Sequence, residues 1–458
     1  MLRGLATAVA SGLLLYVADH PVHAWPLAAI ALVPWFWALG ALSRRRVLGG
    51  ALLGAAMGLS YTTPIAMGLH FPIGFAAAQV GLLSGLWAIA GALSGAALRA
   101  PRALGPLGAA AAVALVEWTG FSVVPIWGTA QSFVRTWSAA PQVASVVAYT
   151  GVAGLAFAIV AAQALLARLL ALPAARFSCG VALGALALAV AICAFDRATV
   201  PGPMLRVAAV GWSEGSLRAR GADDADARLF ERVAAPLVRE ATSRGARLIV
   251  LPEAAFAPED PAALLARFVP LARASEALIV VGLFDRKRHE NRAAFVRASG
   301  VHPAQYRKTH LVPTVEHYSA GDGTLIQVAF AGARVGALIC QDDNFTDLAR
   351  GYGRAGANVL AVPTNDWAAV APYHLENSLL RPIEEGYALV RAASDGTSAI
   401  ADATGAVLVS SDHLREGASV LVADVPLGPG NTLYARFGDW IVLPCLVLLL
   451  ASLRRRAW

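Results

Sequence analysis

The rhythm of apolar and polar positions changes near residue 200. Before that point apolar residues run in blocks long enough to cross a hydrocarbon layer of ~30 Å, which takes ~20 residues of helix. Such blocks fall at 3–18, 25–42, 47–69, 73–98, 105–124, 141–171 and 177–195, and one more, 438–453, follows after a long gap. The first is short, and Glu117 interrupts the fifth. Beyond Pro201-Gly202-Pro203, short β-rich runs at 205–210, 247–251, 277–283, 334–339, 358–362, 388–392, 407–410 and 420–425 alternate with helical patterns at 223–242, 261–275, 345–355 and 374–385. Alternation of this kind predicts a layered α/β domain with its own core. The predicted organisation is a helical membrane bundle over 1–200 with about seven spans, an α/β domain over 201–437, and a last membrane helix over 438–458.

Charge sharpens this division. Of 458 residues 57% are hydrophobic and 15% charged, against roughly a quarter charged in soluble domains. Residues 1–200 hold 10 Arg, no Lys and the three acids Asp19, Glu117 and Asp196, which accounts for the whole net charge of +7. The other 27 of 37 basic and 27 of 30 acidic residues balance in the second part. No basic stripe with interleaved aromatics is found there, so nucleic acid is not an expected partner. Arg44–Arg46, Arg99 with Arg102, Arg168 with Arg176, and Arg454–Arg456 follow alternate spans, while the opposite loops carry Asp19, His20, His23, His70 and Arg135. The positive-inside rule then puts the Arg-bearing loops and both termini in the cytoplasm and residues 197–437 outside. Arg3, the apolar stretch after it and Val22-His23-Ala24 also fit a cleaved signal peptide, and its removal would leave every later loop on the same side.

Cys179, Cys193 and Cys445 lie in apolar runs and read as packing; Cys340 alone lies in the α/β part, so no disulfide framework is expected there. Cations are 35 Arg and two Lys, Lys287 and Lys308, which raises the question of what Arg could not do at those two places. Three β-rich runs end in reactive side chains. Leu248 to Pro252 delivers Glu253, whose apolar surroundings raise a carboxyl pKa toward that of a useful base. Tyr306-Arg307 delivers Lys308, and Gly336 to Ile339 delivers Cys340 at a strand-to-helix turn, where a thiol is expected to be exposed and its thiolate favoured. Singly, each has a plainer reading: a solvated carboxylate, a surface lysine, a packed thiol. His302, His310 and His317 lack metal-ligand spacing, and Gly321-Asp322-Gly323 reads as a turn; no metal or cofactor is expected.

Together and in this order, Glu253, Lys308 and Cys340 resemble the catalytic set of the nitrilase or carbon-nitrogen hydrolase superfamily. The resemblance narrows to the apolipoprotein N-acyltransferase family through Arg44 to Met57, Trp127-Gly128 to Gln131, Lys308 to Pro313 with Glu316, Thr364-Asn365-Asp366-Trp367, His374, Arg391, and Tyr434 to Trp440. It implies a multi-pass helical membrane domain joined to an extracytoplasmic nitrilase-like α-β-β-α sandwich in a bacterial cytoplasmic (inner) membrane. It also implies a phospholipid acyl donor and a diacylglyceryl lipoprotein acceptor, with an acyl thioester on Cys340, Glu253 as base and Lys308 as oxyanion stabiliser. Glu316, Gln341, Asp342, Asn365 and Trp367 are the expected substrate-binding residues, Glu316 by holding Lys308 protonated. The chain departs from the family at Gln341-Asp342, where Tyr-Glu is usual, at Leu251 before Pro252, at Gly211-Trp212-Ser213 and at Thr314-Val315. These departures leave open a different acceptor for the same chemistry, or a homologue without turnover.

Overall fold

The computed structural model describes residues 1–19, 24–43, 45–124, 126–199, 202–213 and 225–454. His20, His23, Arg44, Pro201, Arg455 and Arg456, on which part of the sequence reading rests, lie outside these residues. The chain divides into two compact units, Met1–Asp196 with Phe437–Trp458, and Arg197–Arg436.

Among the described residues of the first unit, five helices are long and apolar enough to cross a membrane: Leu2–Asp19, Ile73–Ala97, Leu104–Ser122, Val147–Ala171 and Pro173–Asp196. The block at 25–42 differs from expectation. Pro26 and Pro34 each fall in the first turn of a separate short element, so it forms a 3-10 turn, Trp25–Ala29, and an eight-residue helix, Val33–Gly40. The block at 141–171 breaks likewise, into Pro141–Ala144 and Val147–Ala171, with a non-helical Gly151 inside the latter. The last block yields a twelve-residue helix, Val442–Leu453. Helix Arg46–Gly68 packs on Ile73–Ala97 through Gly50, Gly54 and Gly58. A Cβ on Gly54 would sit 2.1 Å from the Trp87 carbonyl oxygen, so small residues set the approach of these two helices. Asp19, Glu117 and Arg135 bond to polar partners inside the unit. Asp19 pairs with Arg135 at 2.5 Å and accepts from the Tyr61 hydroxyl, and Glu117 accepts from Ser132.

The second unit is built on two sheets. The first contains β1 (Met204–Gly211), β2 (Leu248–Val250), β3 (Leu278–Asp285), β4 (Glu290–Arg297), β5 (Gly300–Val301), β6 (Tyr306–Arg307) and β13 (Ser419–Pro426), in the order β13-β1-β2-β3-β4-β5 with β6 also on β4. The second contains β7 (Gln327–Phe330), β8 (Ala333–Ala337), β9 (Val359–Asn365), β10 (Ala388–Ser394), β11 (Thr397–Ala401) and β12 (Val407–Asp412), in the order β12-β11-β10-β9-β8-β7. Each has a parallel centre, β1-β2-β3 or β8-β9-β10, flanked by antiparallel strands.

Side-chain alternation explains the layering. On β1 and β2, Val207, Ala209, Leu248 and Val250 face a core shared with the second sheet, including Val359 and Val390. Their neighbours Ala208, Val210, Ile249 and Leu251 face Phe230, Val238, Leu265 and Phe268 of the outer helical segments. On the second sheet, Leu348 and Tyr352 of helix Thr346–Arg354 and Leu379, beside helix Leu380–Glu385, join the first of these cores. The architecture is therefore the α-β-β-α sandwich.

Candidate active site

Strand ends from both sheets meet at one place. Glu253 is the third residue after β2, Lys308 immediately follows β6, Cys340 is the third residue after β8, and Asn365 closes β9. The Glu253 loop passes directly over β3, where a Cβ on Gly282 would lie 2.0 Å from the Pro252 carbonyl oxygen and 2.9 Å from the Glu253 Cα. Only glycine leaves that passage open.

The Lys308 ammonium donates to Glu253 Oε1 and to Glu316 Oε1, both at 2.7 Å. Glu316 Oε2 accepts from the Val312 amide at 2.8 Å, which fixes the carboxylate that holds the lysine. Both oxygens of Glu253 are held, with one lone pair of Oε2 left over. Its Oε1 also accepts from Asn291 Nδ2 at 2.7 Å, and its Oε2 accepts from the Asn365 amide at 2.9 Å. The Cys340 thiol points at the Asn365 carbonyl, 3.8 Å away. Glu253, Lys308 and Cys340 are 3%, 1% and 6% exposed, so their charges interact with little screening by water.

Two expectations about the thiol are corrected. Cys340 is buried, because it opens a 3-10 turn, Cys340–Asn344, and the α-helix begins only at Thr346. The thiol pKa is also moved up rather than down. Burial and the Glu253 carboxylate push it to about 11, against the opposing pull of Lys308 and His374. Burial raises Glu253 as well, with Lys308 lowering it and Glu316 raising it further. For Lys308 burial acts against the charge, but Glu253, Cys340 and Glu316 outweigh it and hold the ammonium well above the usual lysine range. The resting site is thus a neutral thiol beside a buried carboxylate–ammonium pair.

Asp342 is expected among the substrate-binding residues, and the structure shows what its side chain meets. Its carboxylate is fully buried and turned to the Lys308 segment, where it accepts from the Thr309 amide at 3.1 Å, the His310 amide at 2.6 Å and the Tyr306 hydroxyl at 2.8 Å. It ties the turn after the nucleophile to the loop that carries the lysine. Gln341 is also buried, its Oε1 accepting from Asn344 Nδ2 at 2.9 Å. Asn365 contributes its backbone to Glu253 and Cys340, and Trp367 is half-buried two residues beyond β9.

Several functional positions carried no signal of their own in the sequence. Asn291, on β4, holds Glu253 and is 3.0 Å from the Tyr318 hydroxyl. His374, Asp366 and Arg391, whose motifs carry part of the family resemblance, form a buried charge network against the Cys340 turn. Ligand atoms of Cys340, Asp366 and His374 lie within 4.8 Å of one another, but both ring nitrogens of His374 are already directed at oxygens, so the group reads as a charge network and not a metal centre.

Residues 218–430 match the family model for carbon-nitrogen hydrolase, and residues 11–165 match that for the apolipoprotein N-acyltransferase N-terminal domain. The chain belongs to the apolipoprotein N-acyltransferase family. An apolipoprotein N-acyltransferase of Gloeobacter violaceus is 34% identical over 233 residues, 44% of this chain and 44% of that protein. One of Geobacter metallireducens is 31% identical over 249 residues, 48% and 47% respectively. The chain spans about half the length of the curated relatives it matches. Among solved structures, an amidase from Nesterenkonia sp. AN1 aligns over 52% of this chain and 98% of its own, at 21% identity and a TM-score of 0.42.

Proposed function

We propose that this protein is a membrane N-acyltransferase that moves a fatty acyl chain from a phospholipid, through a thioester on Cys340, to the N-terminal amine of a diacylglyceryl-modified cysteine. The observation that carries this reading is the convergence of Glu253, Lys308 and Cys340 in one buried cluster, on a chain whose apolar part matches the family's N-terminal domain.

In the first half-reaction Cys340 Sγ bonds to the ester carbonyl carbon while the thiol proton passes to Glu253. The carbonyl electron pair moves onto oxygen, where the Lys308 ammonium stabilises it. Collapse breaks the carbon–oxygen ester bond, and the departing lysophospholipid oxygen takes the proton from Glu253. In the second half-reaction the neutral α-amine attacks the thioester carbonyl, Glu253 takes an amine proton, and expulsion of the Cys340 thiolate followed by its reprotonation restores the enzyme. A thiol near 11 makes this base necessary, since almost no thiolate is present at neutral pH without it.

We place the protein in a bacterial cytoplasmic membrane with residues 197–437 on the extracytoplasmic side, supported by the Arg-bearing loops. Impermeant thiol labelling of whole cells tests the placement, with single cysteines at exposed Arg239 and Arg102 in a chain whose native cysteines are replaced by serine. Label at 239 and none at 102 is expected; the reverse would remove any external lipoprotein acceptor. The activity itself is tested by supplying labelled phospholipid and a diacylglyceryl peptide to the purified protein. Label in the peptide amide supports the reading, and a thioester that never passes to the peptide would assign a different acceptor.

A further inference from the structure

A second set of charges reaches Cys340 through its backbone. His374 Nε2 lies 3.2 Å from the Cys340 carbonyl oxygen and 3.0 Å from Asp343 Oδ1, and its Nδ1 lies 2.7 Å from Asp366 Oδ1. Asp366 is ionised: burial works against its charge, but Arg391 and His374 hold its pKa at about 2. Asp343 Oδ2 accepts from the Ser378 hydroxyl. Nε2 therefore meets two oxygens, and the nearest partner of Nδ1 is an ionised carboxylate oxygen at 2.7 Å, nearer than the Arg391 guanidinium at 3.2 Å. A neutral imidazole has one N–H and would turn a lone pair against one of these oxygens, at 2.7 Å if it were the Asp366 carboxylate, so the geometry favours a hydrogen on both nitrogens. Arg391, from β10, donates to Asp366 Oδ2 at 2.6 Å and to the Thr397 carbonyl at 2.5 Å, and its Nη2 is 3.2 Å from His374 Nδ1. Asp343 and Cys340 from the nucleophile turn, Asp366 from beyond β9 and Arg391 from β10 are thus the charged and titratable groups facing the ring.

Cys340 has φ of 46°, the left-handed region that a non-glycine residue adopts only when its surroundings hold it there. We propose that His374 is a positioning residue for the nucleophile: kept as an imidazolium by Asp343 and Asp366, it clamps the Cys340 carbonyl, holds the thiol in the left-handed turn, and stabilises the thiolate as its proton leaves for Glu253. This rests on Cys340 being the nucleophile of the proposed reaction. Burial lowers the pKa of His374, but Asp366 and Asp343 outweigh it and raise it well above that of ordinary imidazole, which agrees with the geometry. The four groups Asp343, Asp366, His374 and Arg391 then sum to zero charge, so the cation is balanced without drawing on Glu253 or Glu316.

The test needs neither lipid nor acceptor. The full chain in detergent is treated with iodoacetamide from pH 6 to 10, and alkylation of Cys340 is followed by peptide mass spectrometry, which separates it from the other three cysteines. His374→Gln keeps a donor for the Cys340 carbonyl and removes the charge. Its alkylation at pH 8 is expected to be about tenfold slower or more, with the rate profile moved to higher pH by about one unit or more. A wild-type profile in this variant would overturn the proposal, because a neutral hydrogen bond would then suffice. If His374→Gln does not fold, Asp366→Asn serves: it weakens the hold on the second ring proton and should add an inflection below pH 9 where the ring deprotonates. A wild-type profile there would equally overturn it. Absence of Cys340 alkylation in the wild-type chain would remove the nucleophile itself, and with it both this proposal and the thioester reading.

Discussion

Glu253→Gln is expected to lower turnover by roughly 10²- to 10⁴-fold, the range lost when a positioned general base is removed. The amide matches the carboxylate in size, and Lys308 keeps Glu316 as an ion-pair partner, so the fold should survive. What is lost is the carboxylate proposed to take the proton of a thiol whose pKa stands at about 11. The wild-type pH profile gives an independent reading of the same group. Burial raises the folded pKa of Glu253, so the active carboxylate is present above that value and is lost as pH falls through it. The acid limb of kcat/KM should therefore lie above the ordinary glutamate value of about 4.3. A Gln variant within a few-fold of wild type would show that the proton goes elsewhere.

Lys308→Arg, which keeps the charge, should cost roughly 10²- to 10³-fold, as when an oxyanion donor is removed. The ammonium is 1% exposed and bonded at 2.7 Å to two carboxylates at once. A planar guanidinium is larger, directs its N–H groups in fixed directions, and has no space between Glu253 and Glu316 without displacing one of them. The loss should fall on kcat, with thermal unfolding in detergent lowered modestly by the overpacking. Near-normal turnover would make Lys308 a structural counter-ion only.

The parts of the fold that follow from continuous apolar runs were legible in the sequence, because a buried parallel strand needs nothing else. β2 and β8 end within one or two residues of the ends of their apolar runs, which is why Glu253 and Cys340 could be placed at strand exits. β4 was missed: Glu-Asn-Arg precedes its apolar half, and its opening residues point partly to solvent. With β4 went Asn291, the partner of Glu253. β7 and β11 were missed for related reasons, one being a four-residue edge and the other a run of small residues. The partners of Asp342 were illegible because sequence adjacency to a nucleophile says nothing of side-chain direction; Thr309 and His310 are more than thirty residues away. The charge on His374 was illegible for the same reason, since it is set by Asp343 and Asp366 from two other segments. In the membrane unit, prolines at 26 and 34 gave the signal that the 25–42 block would break, and hydropathy alone overrode it.

The central claim is that Cys340 carries the acyl chain between donor and acceptor. The purified full chain is incubated with phospholipid alone and examined by intact-mass spectrometry before and after hydroxylamine. The account predicts an acyl-sized increment that maps to Cys340, disappears with hydroxylamine, is absent from Cys340→Ala, and is discharged when a diacylglyceryl peptide is added. Acyl-peptide formed by the wild-type chain with no increment at Cys340, or formed by Cys340→Ala, would contradict it.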